Sequence, residues 1–414
     1  MSNQPPRKTP TYDQLCDPEL LRRAWHLVQQ GGPAGGVDAV SLDEFQRRAG
    51  SELQRIGAAL SRRRYRFQPV RRTFIKKLTG GQRQLGIPTI ADRVVAQAVR
   101  LVLEPVAEPG LAAASFAYRP GRDVHQAIAE LLRRRDGGQP WFLESDIADF
   151  FDSISHRRLL DLLGQRVRDG ALLQMVRQQL EAGARLGPRF LATPRGVAQG
   201  SPLSPLLSNL YLDPFDRALL GCGCALVRYA DDFVICCRSR EEAEQARRRA
   251  ERELGRLELR VNGAKTRILD ARRGSLEFLG FLLHPGYLWP APGNVQRFRD
   301  QVAQIADVGR RVPLDELIDH VNPLVRSFAH YYHRCHVTGL FARLDAHVRA
   351  CLLPHLERAG RRRPRTQDQW RALDLVSMTE ILFRRGPAPP ARAGYGWQPP
   401  RRRRNPAGNQ AKSE

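Results

Sequence analysis

The chain has 414 residues, with 67 Lys and Arg against 43 Asp and Glu, and its formal net charge is +24. Hydrophobic residues make up 42%, as in folded proteins, and the length suggests two or three domains. Such a positive excess favours a polyanionic partner, and we expect nucleic acid. A drift of the whole composition towards arginine, with no functional meaning, is the alternative.

The apolar pattern and the cysteines exclude several classes of protein. No apolar run reaches the roughly 18 residues that a membrane span needs, and the N-terminal segment lacks the apolar core of a secretory signal. The seven cysteines include no CxxC pair, which argues against a structural zinc site. We therefore predict a cytoplasmic protein with reduced thiols and no membrane partner.

The first third of the chain is predicted to be mainly helical. Apolar spacing predicts helices near 18–30, 42–64, 92–104 and 123–136. The first of these ends in a glycine-rich loop. Between the second and third, two basic alternating segments flank Thr79-Gly80-Gly81 and predict a β-hairpin.

The middle of the chain mixes strands and helices. Strands are predicted at 141–147, on both sides of a polar tip within 224–237, and at 267–283; helices are predicted over 157–182, 203–220 and 240–257. This order indicates an α+β fold rather than a doubly wound sheet.

Beyond Pro290 the strand pattern gives way to helical spacing over 294–358, which predicts a separate all-α module. From Arg361 the chain is rich in Arg and Pro, and we expect this tail to be mobile, at least in part, until nucleic acid binds. The predicted domains are an N-terminal extension and loop, an α+β domain, a helical domain and a basic tail, at 1–41, 42–289, 290–358 and 359–414.

Three carboxylates suggest the chemistry. Asp231 and Asp232 are adjacent at the polar tip between apolar strands, where their repulsion is costly without a cation. A solvated turn is the alternative. Asp146 ends the predicted strand 141–147 and would face the pair if the strands lie side by side. Three such carboxylates suit two Mg²⁺ ions, one to activate a primer 3′-hydroxyl and one to hold a triphosphate.

Longer segments carry a resemblance to a known family. DIADFFDSISH, PRGVAQGSPLSPLLSNLYL and YADD occur in this order, with GIPTIADRVVAQAV and SFAYRPGRDVHQAI before them and NGAKTRIL and LEFLGFLL after them. Over roughly residues 30–350 the chain resembles the reverse transcriptases encoded by bacterial group II introns. The resemblance implies a right-hand polymerase fold, with fingers and palm of reverse-transcriptase type followed by an all-α thumb or maturase X domain.

The resemblance also assigns roles at the metal site. Asp146, Asp231 and Asp232 match the metal-binding aspartates, whereas Asp149 and Asp152 are expected to be capping or surface carboxylates.

Further matches concern the nucleotide and the template. Phe151 matches the aromatic residue that blocks a 2′-hydroxyl, with core packing as the alternative. Gln199 and Gly200 open the helix that begins near Leu203, where glycine lets nucleotide or template approach the backbone. A simple loop-to-helix junction is the alternative.

Four cations are assigned in the same way. Lys77 and Arg83 match residues that grip the triphosphate, with Lys76 as an alternative to Lys77. Lys265 matches a lysine that donates a proton to the leaving pyrophosphate, and Arg119 resembles a template contact. A solvated basic hairpin is the alternative for Lys77 and Arg83, and a surface lysine is the alternative for Lys265.

The C-terminal module resembles the thumb or maturase X domain through NPLVRSFAHYYHRC and LDAHVRACLLPHLE. Tyr331 and Tyr332, among basic residues, suit stacking on RNA, and they also suit an aromatic core. Many members of the family carry a C-terminal endonuclease with Cys and His ligands. We expect no cleavage of DNA by that route, because no such cluster follows Cys351.

The resemblance implies an RNA-directed DNA polymerase that needs magnesium, with a possible role as an intron RNA maturase. Its partners would be an RNA template, a DNA or RNA primer, dNTPs and its own intron or another non-coding RNA. Two alternatives stay open: an RNA-binding splicing factor that needs no polymerase activity, and a reverse transcriptase recruited to antiviral defence or DNA repair. The presence of all three aspartates favours a polymerase.

Overall fold

The protein is described by a computed structural model that covers residues 9–76, 82–308 and 312–385. The chain divides into two compact units, Met1–Asp270 and Ala271–Glu414. The predicted boundary between 289 and 290 lies inside the second unit, because the strands from 276 to 290 group with the helices that follow them.

The first unit begins with a short 3₁₀ helix, Tyr12–Cys16, and a second one is formed by Glu108–Gly110. Its α-helices are α1 Pro18–Gln29, α2 Leu42–Arg47, α3 Ala49–Ser61, α4 Ile90–Ala107, α5 Val124–Asp136, α6 Phe150–Ser153, α7 His156–Gly164, α8 Gly170–Leu180, α9 Ser204–Gly221 and α10 Arg240–Arg256. Its strands are β1 Val70–Lys76, β2 Gln82–Ile87, β3 Trp141–Asp146, β4 Ala184–Leu186, β5 Arg189–Leu191, β6 Ala225–Tyr229, β7 Asp232–Cys237 and β8 Arg267–Asp270.

Most of the predicted elements are present in this unit. The predicted helix over 42–64 is instead two helices, because the backbone at Arg48 leaves helical geometry (φ −116°, ψ 14°). The predicted hairpin is formed by β1 and β2, which pair antiparallel from Arg71 opposite Ile87 to Lys76 opposite Gln82. Its predicted turn, Thr79-Gly80-Gly81, lies outside the described residues.

Two sheets organise the first unit. The central sheet has the order β6-β7-β3-β8 with antiparallel pairing throughout, and α5, α9 and α10 pack against it. Residues of β6 and β7 are almost all buried, which explains why these strands are apolar without alternation apart from Arg228 and the terminal Tyr229 and Asp232. The other sheet has the order β2-β1-β4-β5, in which β4 joins β1 in parallel.

The second unit contains a three-stranded antiparallel sheet and five helices among its described residues. The strands are β9 Leu276–Phe278, β10 Phe281–His284 and β11 Tyr287–Pro290, and the helices are α11 Pro292–Val308, α12 Leu314–Tyr332, α13 Thr338–Arg358, α14 Gln367–Arg371 and α15 Met378–Arg385. The predicted helical content of 294–358 is confirmed.

Within the basic tail, which we expect to be mobile at least in part, residues 361–385 are folded against the second unit. Trp370, Met378 and Leu382 are buried, and the α14 and α15 region is tied to α12 and α13. The Asn322 side-chain amide exchanges hydrogen bonds with the backbone of residues 374 and 376, and the Asp345 carboxylate caps α15 by accepting from the backbone N–H of Met378 at 2.8 Å. The high arginine content hid the apolar spacing of this segment.

No helix in the described part of the chain is both long enough and apolar enough to cross a membrane.

Candidate active site

The turn between β6 and β7 carries two of the predicted aspartates. Tyr229 pairs with Asp232, so that Ala230 and Asp231 form the connection between the strands. Ala230 has a φ of 59°, in the left-handed region, where a residue with a Cβ costs roughly 1–2 kcal/mol. The Asp231 carbonyl accepts a hydrogen bond from the backbone N–H of Ile147 at 3.3 Å, which ties the turn to the end of β3.

The third aspartate lies directly beside this turn. β3 and β7 pair antiparallel with Asp146 opposite Asp232, which is the side-by-side arrangement expected from the sequence. Asp146 is 7% exposed, and its Oδ2 accepts a hydrogen bond from Lys265 Nζ at 2.5 Å. The backbone N–H of Asn262 donates to the Asp146 carbonyl at 2.7 Å and so positions the loop that carries Lys265.

The three carboxylates crowd one another. Burial, followed by the charges of Asp231 and Asp146, raises the pKa of Asp232 to about 7. The hydrogen bond to Asp146 raises the pKa of Lys265, so this lysine stays protonated and offsets part of the negative charge.

The donor set fits a hard divalent cation. No group of three or more His, Cys, Asp or Glu side chains in the described ranges is already arranged around a metal position. Three carboxylates from adjacent strand ends nevertheless supply the oxygen ligands that Mg²⁺ prefers, and their mutual repulsion is the cost that a cation would remove.

Asp146 and Asp231 line a large cleft within the first unit. Its volume is about 880 Å³, which lies in the range of sites that enclose a nucleotide-sized ligand. Asp146, Asp231, Lys265, Phe151 and Gln199 all line it. Gly200 lines it as well, so the structure brings six of the predicted site residues to one cavity, and Asp232 lies next to Asp231 but is not a lining residue.

Phe151 lies at the wall of this cleft. It is half-buried, and its ring packs edge-to-face on Phe150 with 5.2 Å between ring centroids. Its carbonyl accepts a hydrogen bond from the N–H of Val197 at 2.8 Å, which joins the α6 segment to the loop that leads to Gln199. The Phe150 ring and the backbone hydrogen bond thus hold Phe151 in place at the cavity that it lines.

Gly200 also lines the cleft, but its requirement for glycine has a cause within the chain. A Cβ at this position would lie 2.5 Å from the Gly86 carbonyl oxygen of β2. The absence of a side chain therefore lets the 198–201 loop and β2 come together.

The glycine-rich loop after α1 forms one wall of the cleft, and sequence reasoning missed this. Gly32 and Ala34 line the cavity. Arg71 donates to the Gly35 carbonyl at 2.7 Å and Arg93 donates to the Gly32 carbonyl at 2.9 Å, so two arginines hold the loop in place. The four closely spaced glycines were the available signal, because they mark backbone that other groups approach closely.

A buried ion pair behind the turn was also missed. Arg228, in β6, and Asp216, in α9, have side chains that are each 1% exposed, and they form two hydrogen bonds at 2.6 and 2.7 Å. An arginine within an apolar strand was the signal, because a buried cation requires a buried partner.

Arg119 does not fit the predicted template contact. Its side chain is 5% exposed, and it forms an ion pair with Glu108 at 2.9 Å. The same guanidinium donates to the carbonyls of Ala112 and Ser115 at 2.6 and 3.1 Å. The N–H donors of Arg119 are thus occupied within the 108–119 segment. The predicted template contact is therefore corrected: Arg119 stabilises the fold of this segment.

The two tyrosines of α12 differ from each other. Tyr332 is 3% exposed and its hydroxyl donates to the Gly280 carbonyl at 3.0 Å. The prediction that this ring stacks on RNA is therefore corrected: it packs in the core. Tyr331 is 38% exposed, and its ring stacks on Phe281 with 5.2 Å between centroids. Part of Tyr331 remains accessible to a ligand.

The cations predicted on the hairpin are only partly described. Lys77 lies outside the described residues, and Arg83 lies in β2, opposite Ile75. Their assignment to the triphosphate stays a prediction.

Comparison with known proteins agrees with this geometry. Residues 75–283 match the family model "Reverse transcriptase (RNA-dependent DNA polymerase)", and residues 295–373 match "Group II intron, maturase-specific domain". Protein YkfC of Escherichia coli is 32% identical over 310 residues, which is 65% of this chain and 81% of YkfC. The group II intron-encoded protein LtrA of Lactococcus lactis is 34% identical over 215 residues, which is 51% of this chain.

The chain spans only about a third of LtrA (35%). Among solved structures, apo telomerase from Candida tropicalis covers 77% of this chain and 63% of its own, with 12% identity and a TM-score of 0.48, and this likeness supports no further conclusion. The family matches, together with the mixed sheet and the helices that follow it, confirm the predicted α+β right-hand fold and the maturase-type helical region. The chain therefore belongs to the reverse transcriptase family and carries the maturase-specific domain of group II intron proteins, a family whose members depend on divalent metal and bind an RNA template.

Proposed function

We propose that this chain extends a primer 3′-hydroxyl on an RNA template, with Asp146, Asp231 and Asp232 as the ligands of two Mg²⁺ ions. The observation that supports the proposal is the strand register, which sets Asp146 opposite Asp232, while Asp146 and Asp231 line the nucleotide-sized cleft. When bound, the two ions would favour the ionised 3′-hydroxyl and offset the charge of the triphosphate and the leaving pyrophosphate.

The remaining roles fall to side chains at the cleft. Lys265 holds a proton next to Asp146, where it can be passed to the pyrophosphate. Phe151 stands at the cleft wall as the barrier to a 2′-hydroxyl, and Gln199 contacts the incoming nucleotide. Lys77 and Arg83 bind the triphosphate as cations.

The partners in this proposal are an RNA template, a DNA or RNA primer, dNTPs and an intron or other non-coding RNA. The maturase-specific match over residues 295–373 supports a role in folding intron RNA, with Tyr331 as an accessible aromatic on that surface. A cytoplasmic location is part of the proposal, and it can be checked by fractionation.

The test is primer extension on an RNA template with dNTPs and Mg²⁺. Wild-type protein is expected to extend the primer, Asp231→Asn to lose at least 1,000-fold in rate, and both to bind the template–primer with similar affinity. Asp149→Asn is the matched control, because Asp149 lies close to Asp146 but outside the proposed ligand set. If Asp231→Asn extends at the wild-type rate, the metal assignment is wrong.

A second candidate is a splicing factor that does not need polymerase activity, and the maturase-specific match is the observation that favours it. Tight binding of intron RNA without extension by the wild-type protein would support this candidate.

A further inference from the structure

Behind the catalytic turn lies a polar network that is shut off from solvent. Arg228 is fully buried, and Asp216, Asn209 and Ser115 around it are each at most 2% exposed. The two oxygens of Asp216 accept from Arg228 Nε and Nη2 at 2.7 and 2.6 Å. Replacing a buried ion pair with apolar residues of similar size is often neutral or stabilising, so stability alone gives little reason for this one.

One donor of the guanidinium reaches the turn itself. Arg228 Nη1 donates to the Ala230 carbonyl at 2.8 Å and to Asn209 Oδ1 at 3.2 Å. Ala230 is the residue with left-handed backbone that directly precedes the two aspartates of the turn. The hydrogen bond from Arg228 therefore satisfies a buried carbonyl in a conformation that alanine disfavours.

The same residue is anchored on the opposite side. The backbone N–H of Arg228 donates to the Ala114 carbonyl at 2.8 Å, and the Arg228 carbonyl accepts from the Phe116 N–H at 2.9 Å. Asn209 donates to the Ala117 carbonyl at 2.8 Å and accepts from the Ser115 hydroxyl at 3.1 Å. The Arg228 backbone is thus bound to the 112–117 segment, and its guanidinium joins helix α9 to the catalytic turn.

We infer that Arg228, held by Asp216 and Asn209, is a positioning residue that fixes the Ala230–Asp232 turn and so presets its carboxylates for metal. The inference rests on the proposed function for the metal role, although the fixing of the turn does not depend on it. Arg228 does not touch the reacting atoms; it acts through the backbone of Ala230. A ligand geometry that is fixed in advance strengthens metal binding, because less conformational entropy is lost when the ion binds.

The test compares two double variants. Arg228→Met with Asp216→Leu removes both charges of the network, so no unpaired buried charge is left behind. Arg100→Met with Glu104→Leu removes a different ion pair, 2.9 Å long and partly buried within α4, that makes no contact with the turn. Both double variants must first show a cooperative thermal transition, which demonstrates that they are folded. If the Arg228 variant does not, it is replaced by Asn209→Ala, which keeps the Arg228–Asp216 ion pair.

The primary readout is hydrogen exchange of the 229–234 segment in metal-free protein. We expect exchange at least tenfold faster in the Arg228 variant and unchanged in the Arg100 variant. The second readout is Mn²⁺ affinity, from electron paramagnetic resonance of the free ion, with an expected loss of at least fivefold in the Arg228 variant alone. Wild-type exchange in the Arg228 variant, or equal acceleration in both variants, would overturn the inference.

These readouts separate the two proposals. If wild-type protein and Asp231→Asn bind Mn²⁺ equally weakly, the proposed metal site fails, while the exchange of the turn still decides the role of Arg228. If metal binding depends on Asp231 but neither exchange nor affinity changes in the Arg228 variant, the proposed function stands and the positioning role is wrong.

Discussion

The contact between Gly200 and β2 gives a prediction whose size follows from the geometry. A Cβ at Gly200 would lie 2.5 Å from the Gly86 carbonyl oxygen, whereas ordinary van der Waals contact begins near 3.4 Å. In Gly200→Ala the 198–201 loop and β2 must therefore separate by roughly 1 Å, since the obstructing atom belongs to the backbone and cannot rotate away. Overpacking of this kind costs about 1–3 kcal/mol of folding free energy.

The functional cost of Gly200→Ala is expected to exceed the cost in stability. Gln199 and Gly200 line the cleft that holds the carboxylates, and a displacement of about 1 Å in a positioning element can reduce a rate by up to roughly 100-fold. We expect single-nucleotide addition to slow by at least tenfold at a temperature where the variant is fully folded.

The control is Gly255→Ala in α10, where a Cβ would meet no atom within 4 Å. Alanine is a better helix former than glycine, so this variant should be neutral or more stable by up to about 1 kcal/mol, with unchanged nucleotide addition. Denaturant unfolding and rapid-quench kinetics provide the two measurements. A Gly200→Ala protein with wild-type stability and rate would refute the steric reasoning.

Three other variants test separate features. Phe151→Ala should lower the preference for dNTPs over NTPs at least tenfold in competition assays, and unchanged sugar selectivity would remove the barrier assignment. Burial raises the pKa of Asp92 to about 6, so the folded state binds the carboxyl proton more tightly than the unfolded chain does. The contribution of Asp92 to the free energy of unfolding therefore falls as the pH rises from about 4 to 6. The stability advantage of wild type over Asp92→Asn should then shrink by about 2 kcal/mol between about pH 4.5 and 6.5 in urea titrations; a constant difference would contradict the shift. Lys265→Met should slow nucleotide addition at least tenfold at saturating metal.

Local patterns in the sequence were sufficient for much of the fold. Short apolar runs located β3, β6 and β7, because strands that are buried for most of their length are rich in apolar residues. The meeting of Asp146 with Asp232 followed from their places at strand ends, and needed only the assumption that β3 and β7 are neighbours. Such predictions succeed because they depend on where residues lie along the backbone and not on the direction of their side chains.

Side-chain direction was not predictable in the same way. A family match places the backbone of Arg119 and Tyr332 correctly, but it does not show that both side chains turn inwards to carbonyl groups of their own unit. The partner of Arg228 was equally hidden, because Asp216 reaches it from α9 and no spacing rule links the two positions. What the sequence did show was the need for a partner, since a lone arginine in an apolar strand cannot be buried unpaired.

Lys265 shows how the remaining ambiguity at the site can be resolved. Its Nζ lies 2.5 Å from Asp146 Oδ2, and this contact suits both a proton donor and a simple counter-charge to the carboxylates. The side chain is 60% exposed, so the ion pair itself contributes little to stability, and loss of activity on mutation would not be caused by unfolding. Lys265→Arg separates the two roles, because a guanidinium keeps the charge but does not release its proton in proteins. If proton donation matters, Lys265→Arg and Lys265→Met should both be slow and both should lose the basic limb of the pH–rate profile. If the charge alone matters, Lys265→Arg should add nucleotides at close to the wild-type rate, and only Lys265→Met should be slow.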